Sequence, residues 1–273
     1  MTRIHMFLAS ILISTHTILI ANTAISENVQ SAYTYNPYAT PHKWNRFAPH
    51  FIPENHPVKE KLDQIFLSSN KRILKDKKSL KKAKFKVIHH EKKKNPYVAK
   101  HPEIPGYLFK VYFDSQKDID DGRYYLYRIW GAHAIRQAIN RNCFQEIFKV
   151  PRKWIYPIPL EAVPPQEGCI SPKNFILVVE DMDIYGWEKN LSKWKSKAMT
   201  PELLEAIYIL LDEVGLSDTV YAFNLPFCKD GKLAFIDTEY HHDWPVDFMH
   251  LARYLCTSMK HYWISIIERE KSK

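Results

Sequence analysis

Glycine is scarce in this 273-residue chain, which has only seven, never closer together than nine positions. That spacing excludes a G-x-G-x-x-G loop. Cysteine is scarce too, and Cys143, Cys169, Cys228 and Cys256 include no C-x-x-C pair, so neither a zinc ribbon nor a dithiol redox motif is supported. Four cysteines allow three full pairings, and one or two disulfides or free core thiols all fit the sequence. No internal repeat is visible. Long apolar runs are missing after the first residues: Met6 to Ile20 is the longest, it is broken at Ser14 to Thr17, and it is shorter than the roughly 20 residues that a span requires.

That first stretch, with Arg3 and His5 ahead of the apolar run and Ala24 and Ser26 behind it, predicts an export signal over residues 1–26, cleaved before Glu27. A retained anchor is the alternative. The rest has ample core material, with 45% hydrophobic and 14% aromatic residues, enough for one large domain or a compact two-lobed one.

The net charge of +9 is concentrated in one place. Residues 71–94 hold twelve Lys or Arg against Asp76 and Glu91, and the remainder of the chain is close to neutral. A specific nucleic-acid binder would spread its charge over a face, so none is expected. The segment reads as a solvated arm or charged hairpin, or as a docking element for an acidic partner or an anionic membrane surface. With few core residues of its own, it is expected to be dispensable for folding.

Along the chain, residues 27–57 are rich in Pro, Asn, Tyr and His without periodicity and read as an extended arm. A short helix is expected from Pro57 to Ser68, with Val58, Leu62, Ile65 and Phe66 on one face. Tyr107 to Phe113 predicts a strand with Lys110 at its centre. A helix follows, with Tyr127, Trp130, Ala134, Ile135 and Ala138 as its apolar stripe, and Trp154 to Ile158 and Phe175 to Val179 are further strands. Thr200 as N-cap, Pro201 and a stop at Gly215 define a buried helix. Strands with one helix, followed by helices with one hairpin, indicate an α+β fold with a small β-rich N-lobe and a compact helical C-lobe. The expected divisions are 1–26, 27–84, 85–182 and 183–273.

Asp230-Gly231 is a two-residue hairpin signal. With those residues as the loop, Lys229 pairs with Lys232, and counting outward sets Asn224 opposite Asp237. Directly opposed side chains are about 5 Å apart, close enough for an amide oxygen and a carboxylate to share one hard cation such as Mg²⁺.

Asn224 followed by Phe235-Ile236-Asp237-Thr238-Glu239 resembles the catalytic-loop Asn and metal-binding Asp of protein kinases and aminoglycoside-phosphotransferase-like kinases. Asp247-Phe-Met-His-Leu-Ala-Arg253 resembles the helix that follows this site in the phosphotransferase branch. Leu108-Phe109-Lys110-Val111 is similar to the strand bearing the phosphate-pairing Lys, and Phe175 to Met182 to the central strand that leads into the adenine hinge. The resemblance covers residues 85–260 in the family's order. It implies a two-lobed protein-kinase-like fold and a Mg²⁺–ATP site: Lys110 on the phosphates, Glu180 and Met182 at the hinge, Asn224 and Asp237 on the metal, and Glu239 as a second metal ligand.

The chain departs from the family pattern in three places. It has no glycine loop, no Asp or Glu between Gly122 and Gln145 to pair the strand lysine, and Thr219 where the catalytic base should precede Asn224, with Asp218 one position earlier. A one-residue bulge would bring Asp218 into that role. The resulting expectation is a secreted phosphotransferase acting on a protein or small-molecule hydroxyl. The alternative is an inactive pseudokinase-like binding module.

Overall fold

The computed structural model describes residues 33–89, 95–117 and 119–272, so the expected signal over 1–26 lies outside the described residues. Tyr35–Lys273 is one unit by its internal contacts, and it mixes α-helices with an antiparallel sheet, as an α+β fold does.

The sheet has five strands. β1 (Lys86–His89), β2 (Tyr97–His101) and β3 (Ile104–Val111) form a meander. Two later strands, β5 (Lys153–Pro157) and β6 (Phe175–Glu180), complete it in the order β1-β2-β3-β6-β5. Buried along almost its whole length, β6 is the unbroken apolar strand Phe-Ile-Leu-Val-Val with a neighbour on each side. A strand covered on both faces loses the polar alternation of a half-exposed one.

Ahead of the sheet the chain is not a plain extended arm. Thr40 Oγ1 accepts from Lys43 N at 3.3 Å, Pro41 occupies the first turn, and α1 (Pro41–Phe47) buries Trp44 and Phe47. The sequence reading missed this helix because two turns carry too little periodicity. Long-range aromatic anchoring holds it, with Phe47 4.6 Å from the Phe175 ring in a T-shaped pair. The arm then covers the edge of β5: Phe51 bridges Ile155 in parallel, and Ile52 N donates to Ile155 O at 3.0 Å. Asn36 Nδ2 donates to Ile158 O, and Asn174 Nδ2 donates to Tyr38 O. The next helix, α2, spans Pro57–Ser68 as expected and buries Val58, Leu62 and Phe66.

The basic segment departs from expectation. A 3₁₀ turn at Ile73–Lys75 and α3 (Lys77–Lys82), capped by Asp76, bury Ile73, Leu74 and Leu80, and Phe85 follows them into the core. Arg72 pairs with Asp114 at 3.0 Å and donates to Lys173 O at 2.7 Å. Leu80 and Phe85 are single apolar residues in a lysine run, so composition hides their spacing. Excising residues 71–84 removes the buried side chains of Ile73, Leu74 and Leu80, each worth about 2–5 kcal/mol on truncation. The deletion is expected to abolish a cooperative melt near the wild-type Tm, and a Tm within a few degrees of wild type would show the segment to be peripheral.

α4 (Asp121–Arg141) crosses from the sheet to a helical cluster made of α5 (Trp187–Trp194), α6 (Pro201–Val214) and α7 (Thr257–Lys271), packing on β5 at one end and on α6 at the other. Ile135 and Ala138 of α4 face inward as expected, but Trp130 is 38% exposed and Arg128 is 4% exposed. α6 matches its capping signals: Thr200 Oγ1 accepts from Leu203 N, and Gly215 has φ +62°. The helical cluster encloses a second core, in which Ile207, Leu210 and Leu211 of α6 meet Trp194 and Trp263. The short parallel pair β4 (Phe148–Lys149) and β7 (Leu233–Ala234) joins this core. All four cysteines are free thiols. Among the described residues no helix is long and apolar enough to cross a membrane.

Candidate functional site

Lys110 lies on β3, in register with Leu177 of β6 and Val98 of β2. Its Nζ is 3.7 Å from Asp237 Oδ1, although the two residues are far apart in the chain. The segment carrying Asp237 leaves β7 as irregular chain and passes under α4 at Gly131. A Cβ on Gly131 would stand 1.8 Å from Thr238 O, so only glycine permits this approach.

One turn earlier on α4, Arg128 points into the same recess. Its Nε is 3.5 Å from Asp237 Oδ1, and its guanidinium forms an ion pair with Glu239. From β5, Lys153 Nζ donates to Thr238 Oγ1 at 2.6 Å, and that hydroxyl donates onward to Arg128 O at 2.5 Å. Residues 237–239 are thus pinned between β3, β5 and α4. Asp237 Oδ1 and Arg128 Nε are both buried and neither has a hydrogen-bond partner. Their separation is that of an ion pair without hydrogen-bond geometry.

Three cations and two carboxylates meet around residues 237–239. Burial penalises the charged form of Asp237, but Lys110, Arg128 and Lys153 together outweigh it and hold this carboxyl well below the usual range. Burial pushes Lys110 down despite Asp237. It pushes Lys153 down much further, with repulsion from Lys110 adding to it. Burial raises Glu239, and Arg128 only partly offsets that rise.

Asn224 is near this centre in a different way from that expected. Cys228 N donates to Lys232 O, Ala234 N to Pro226 O and Ile236 N to Asn224 O, and Phe227 bridges Leu233. The loop therefore has three residues, Lys229 to Gly231, with Gly231 at φ +89°, which shifts the register by one. Asn224 stands opposite Ile236, and the direct Asn224–Asp237 pairing is corrected. A three-residue loop that closes on a left-handed glycine is the next commonest hairpin after the two-residue form. The Asn224 amide instead donates to Asp218 O at 2.7 Å and to Asp218 Oδ2 at 3.2 Å. Thr219 is 1% exposed and points inward, while Asp218 stays half-buried beside Asn224.

Glu180 and Met182 end β6 and begin the segment after it. The Glu180 carboxylate accepts from Arg152 N at 2.8 Å, and its own N–H donates to Arg152 O. Met182 is half-buried. The expected helix after Asp247 is a 3₁₀ turn, Phe248–Tyr254, whose Met249 N bonds to Asp247 Oδ1 at 3.2 Å.

The sequence reading missed Arg128, Lys153 and Thr238. A signal was present in the absence of any acid along α4 beyond its first residue: Lys110 needs a counter-charge and receives it from Asp237 instead. An arginine amid tyrosines, however, reads as solvent-facing, and a lysine opening a strand reads as an edge residue.

Among the described residues no group of three or more His, Cys, Asp or Glu is arranged to hold a metal ion. No family model, curated protein or solved structure matches the chain.

Proposed function

We propose that the chain is a divergent two-lobed protein-kinase-like phosphotransferase, exported by its leader, which moves a phosphoryl group from a Mg²⁺-nucleotide such as ATP to a hydroxyl acceptor. The observation that carries this reading is the 3.7 Å approach of Lys110 to Asp237, from the third strand and from the segment after the hairpin. Asn224 is hydrogen-bonded to Asp218, and its backbone carbonyl accepts from Ile236 N, next to Asp237 in the chain.

The residues fit a hard cation. Asp237 Oδ1 has no hydrogen-bond partner but faces Lys110 at 3.7 Å and Arg128 at 3.5 Å, so an ion bound there would displace one of these cations, and phosphate and water oxygens would complete its shell, because Mg²⁺ seldom relies on an all-protein cage. Asp237 would hold the ion, with Asn224 as the neutral oxygen nearby. When bound, the ion neutralises charge on the transferring group. Lys110 binds the donor phosphates. Asp218, fixed by the Asn224 amide, orients the acceptor hydroxyl and takes its proton as the new O–P bond forms and the bond to the donor's bridging oxygen breaks. Glu180 and Met182 lie at the end of the strand paired with β3, where a nucleotide base would meet backbone. With no glycine loop, catalysis rests on positioning by buried cations.

A second reading, nucleotide binding without transfer, is favoured by Arg128, which already engages both Asp237 and Glu239. Isothermal titration of the purified chain with ATP, with and without Mg²⁺, tests both. Mg²⁺-dependent binding is expected. Asp218→Asn should keep that binding and lower turnover by about 10²–10⁴-fold, the usual contribution of a general base. Binding by wild type with no phosphoryl transfer would select the second reading. No Mg²⁺-dependent response to ATP or GTP at saturating concentration would sink both.

A further inference from the structure

A concavity of about 1480 Å³ lies between α2, the basic turn, α3 and the loop at 163–169. None of the residues of the candidate phosphotransfer site lines it, so its role is independent of phosphoryl transfer. Its walls carry Lys71, Lys75, Lys78 and Lys82, all exposed and, among the described residues, none in a salt bridge with a carboxylate. The nearby acids are mostly committed elsewhere. Asp114 is held by Arg72, Glu103 pairs with Lys84 at 3.1 Å, and Asp76 caps α3 by accepting from Ser79 N at 2.7 Å. Glu167 is the remaining acid on the wall.

These lysines are not on a loose arm. Ile73, Leu74, Leu80 and Phe85 anchor the segment in the core, so the four ammonium groups are displayed on a fixed surface. A charge cluster held in place has no further backbone ordering to do when a ligand arrives. The groove is concave, whereas a membrane surface is flat. Gln64, Asn70 and Gln166 also line it, and primary amides both donate to C=O and accept from N–H, the alternating pattern that a peptide backbone presents.

We infer that this groove is a docking site for an extended acidic peptide segment of a partner protein, with Lys71, Lys75, Lys78 and Lys82 reading its carboxylates. Association should be steered by charge and weaken with salt.

Fluorescence anisotropy with a labelled peptide of alternating glutamate and serine tests the inference on the full chain. Wild type should bind it, and the quadruple change of Lys71, Lys75, Lys78 and Lys82 to Ala should weaken binding by about tenfold or more, a loss equal to about 1.4 kcal/mol. Changing Lys77, Lys81 and Lys86 to Ala removes exposed lysines that do not line the groove, and it should leave affinity nearly unchanged. Gln166→Trp, which narrows the groove without altering charge, should also weaken binding. Each variant is compared only if its melting profile matches wild type, and Lys→Gln versions replace any that melts early. Equal losses from the two lysine sets, or full affinity in Gln166→Trp, would mean diffuse attraction and overturn the assignment. So would tighter binding to heparin oligosaccharides or phosphatidylserine vesicles than to the peptide, or no binding of the peptide at all.

Discussion

Gly131→Ala is expected to cost the fold about 3 kcal/mol, the upper end of what overpacking a tight interior costs. The added methyl would meet a backbone carbonyl, Thr238 O, at 1.8 Å, and a carbonyl tied into its own segment cannot swing aside as a side-chain tip can. Relief must come from moving α4 or residues 237–239, and the latter carry Asp237. Thermal denaturation should show the loss, and any folded fraction should bind Mg²⁺–ATP more weakly. A variant that melts with wild type and binds normally would show that α4 and Thr238 do not touch in this way.

A second large effect is expected from Asp237→Asn. The carboxylate is the shared counter-charge of Lys110 and Arg128 and attracts Lys153 as well, and removing one member of a buried ion cluster typically costs about 3–5 kcal/mol. Mg²⁺-dependent stabilisation by nucleotide should vanish in the same variant. The acid side carries an independent signature. A carboxyl whose folded pKa is depressed contributes fully above its unfolded value, about 3.9, and this contribution is lost as pH falls through the lower folded value. Wild type should therefore lose stability below about pH 4 more steeply than Asp237→Asn. Adding Lys153→Met should return part of the lost stability, since it removes a buried cation left without compensation. If Asp237→Asn is as stable as wild type across this range, the cluster is not held by that carboxylate.

Helices with local signals were legible in the sequence alone. Pro57–Ser68 and Pro201–Val214 announce themselves by proline at the first turn, by their apolar spacing and, for the second, by Thr200 and Gly215. The strands β5 and β6 were legible in their β-branched and aromatic runs. Features settled by distant partners were not. α1 depends on Phe175, the basic segment on the pocket that receives Leu80 and Phe85, and Arg128 on a carboxylate more than a hundred residues away in the chain. The hairpin register turned on one residue: Asp-Gly serves two-residue and three-residue loops alike, and only the ladder hydrogen bonds distinguish them.

The N-terminal arm has a consequence in time. Its bonds link Asn36 with Ile158 and Tyr38 with Asn174, so the first described part of the chain to be made waits for partners 122 and 136 residues further on. At roughly 5–20 residues per second, the ribosome delivers the partner strands on the order of ten seconds later. Until then Trp44 and Phe47 lack Phe175, against which both pack, and β5, once made, keeps an open edge until the arm docks. Such separations give high contact order and slow closure. The newly made chain therefore exposes Trp44 and Phe47 over this interval, and a chaperone holding the nascent arm would act on it.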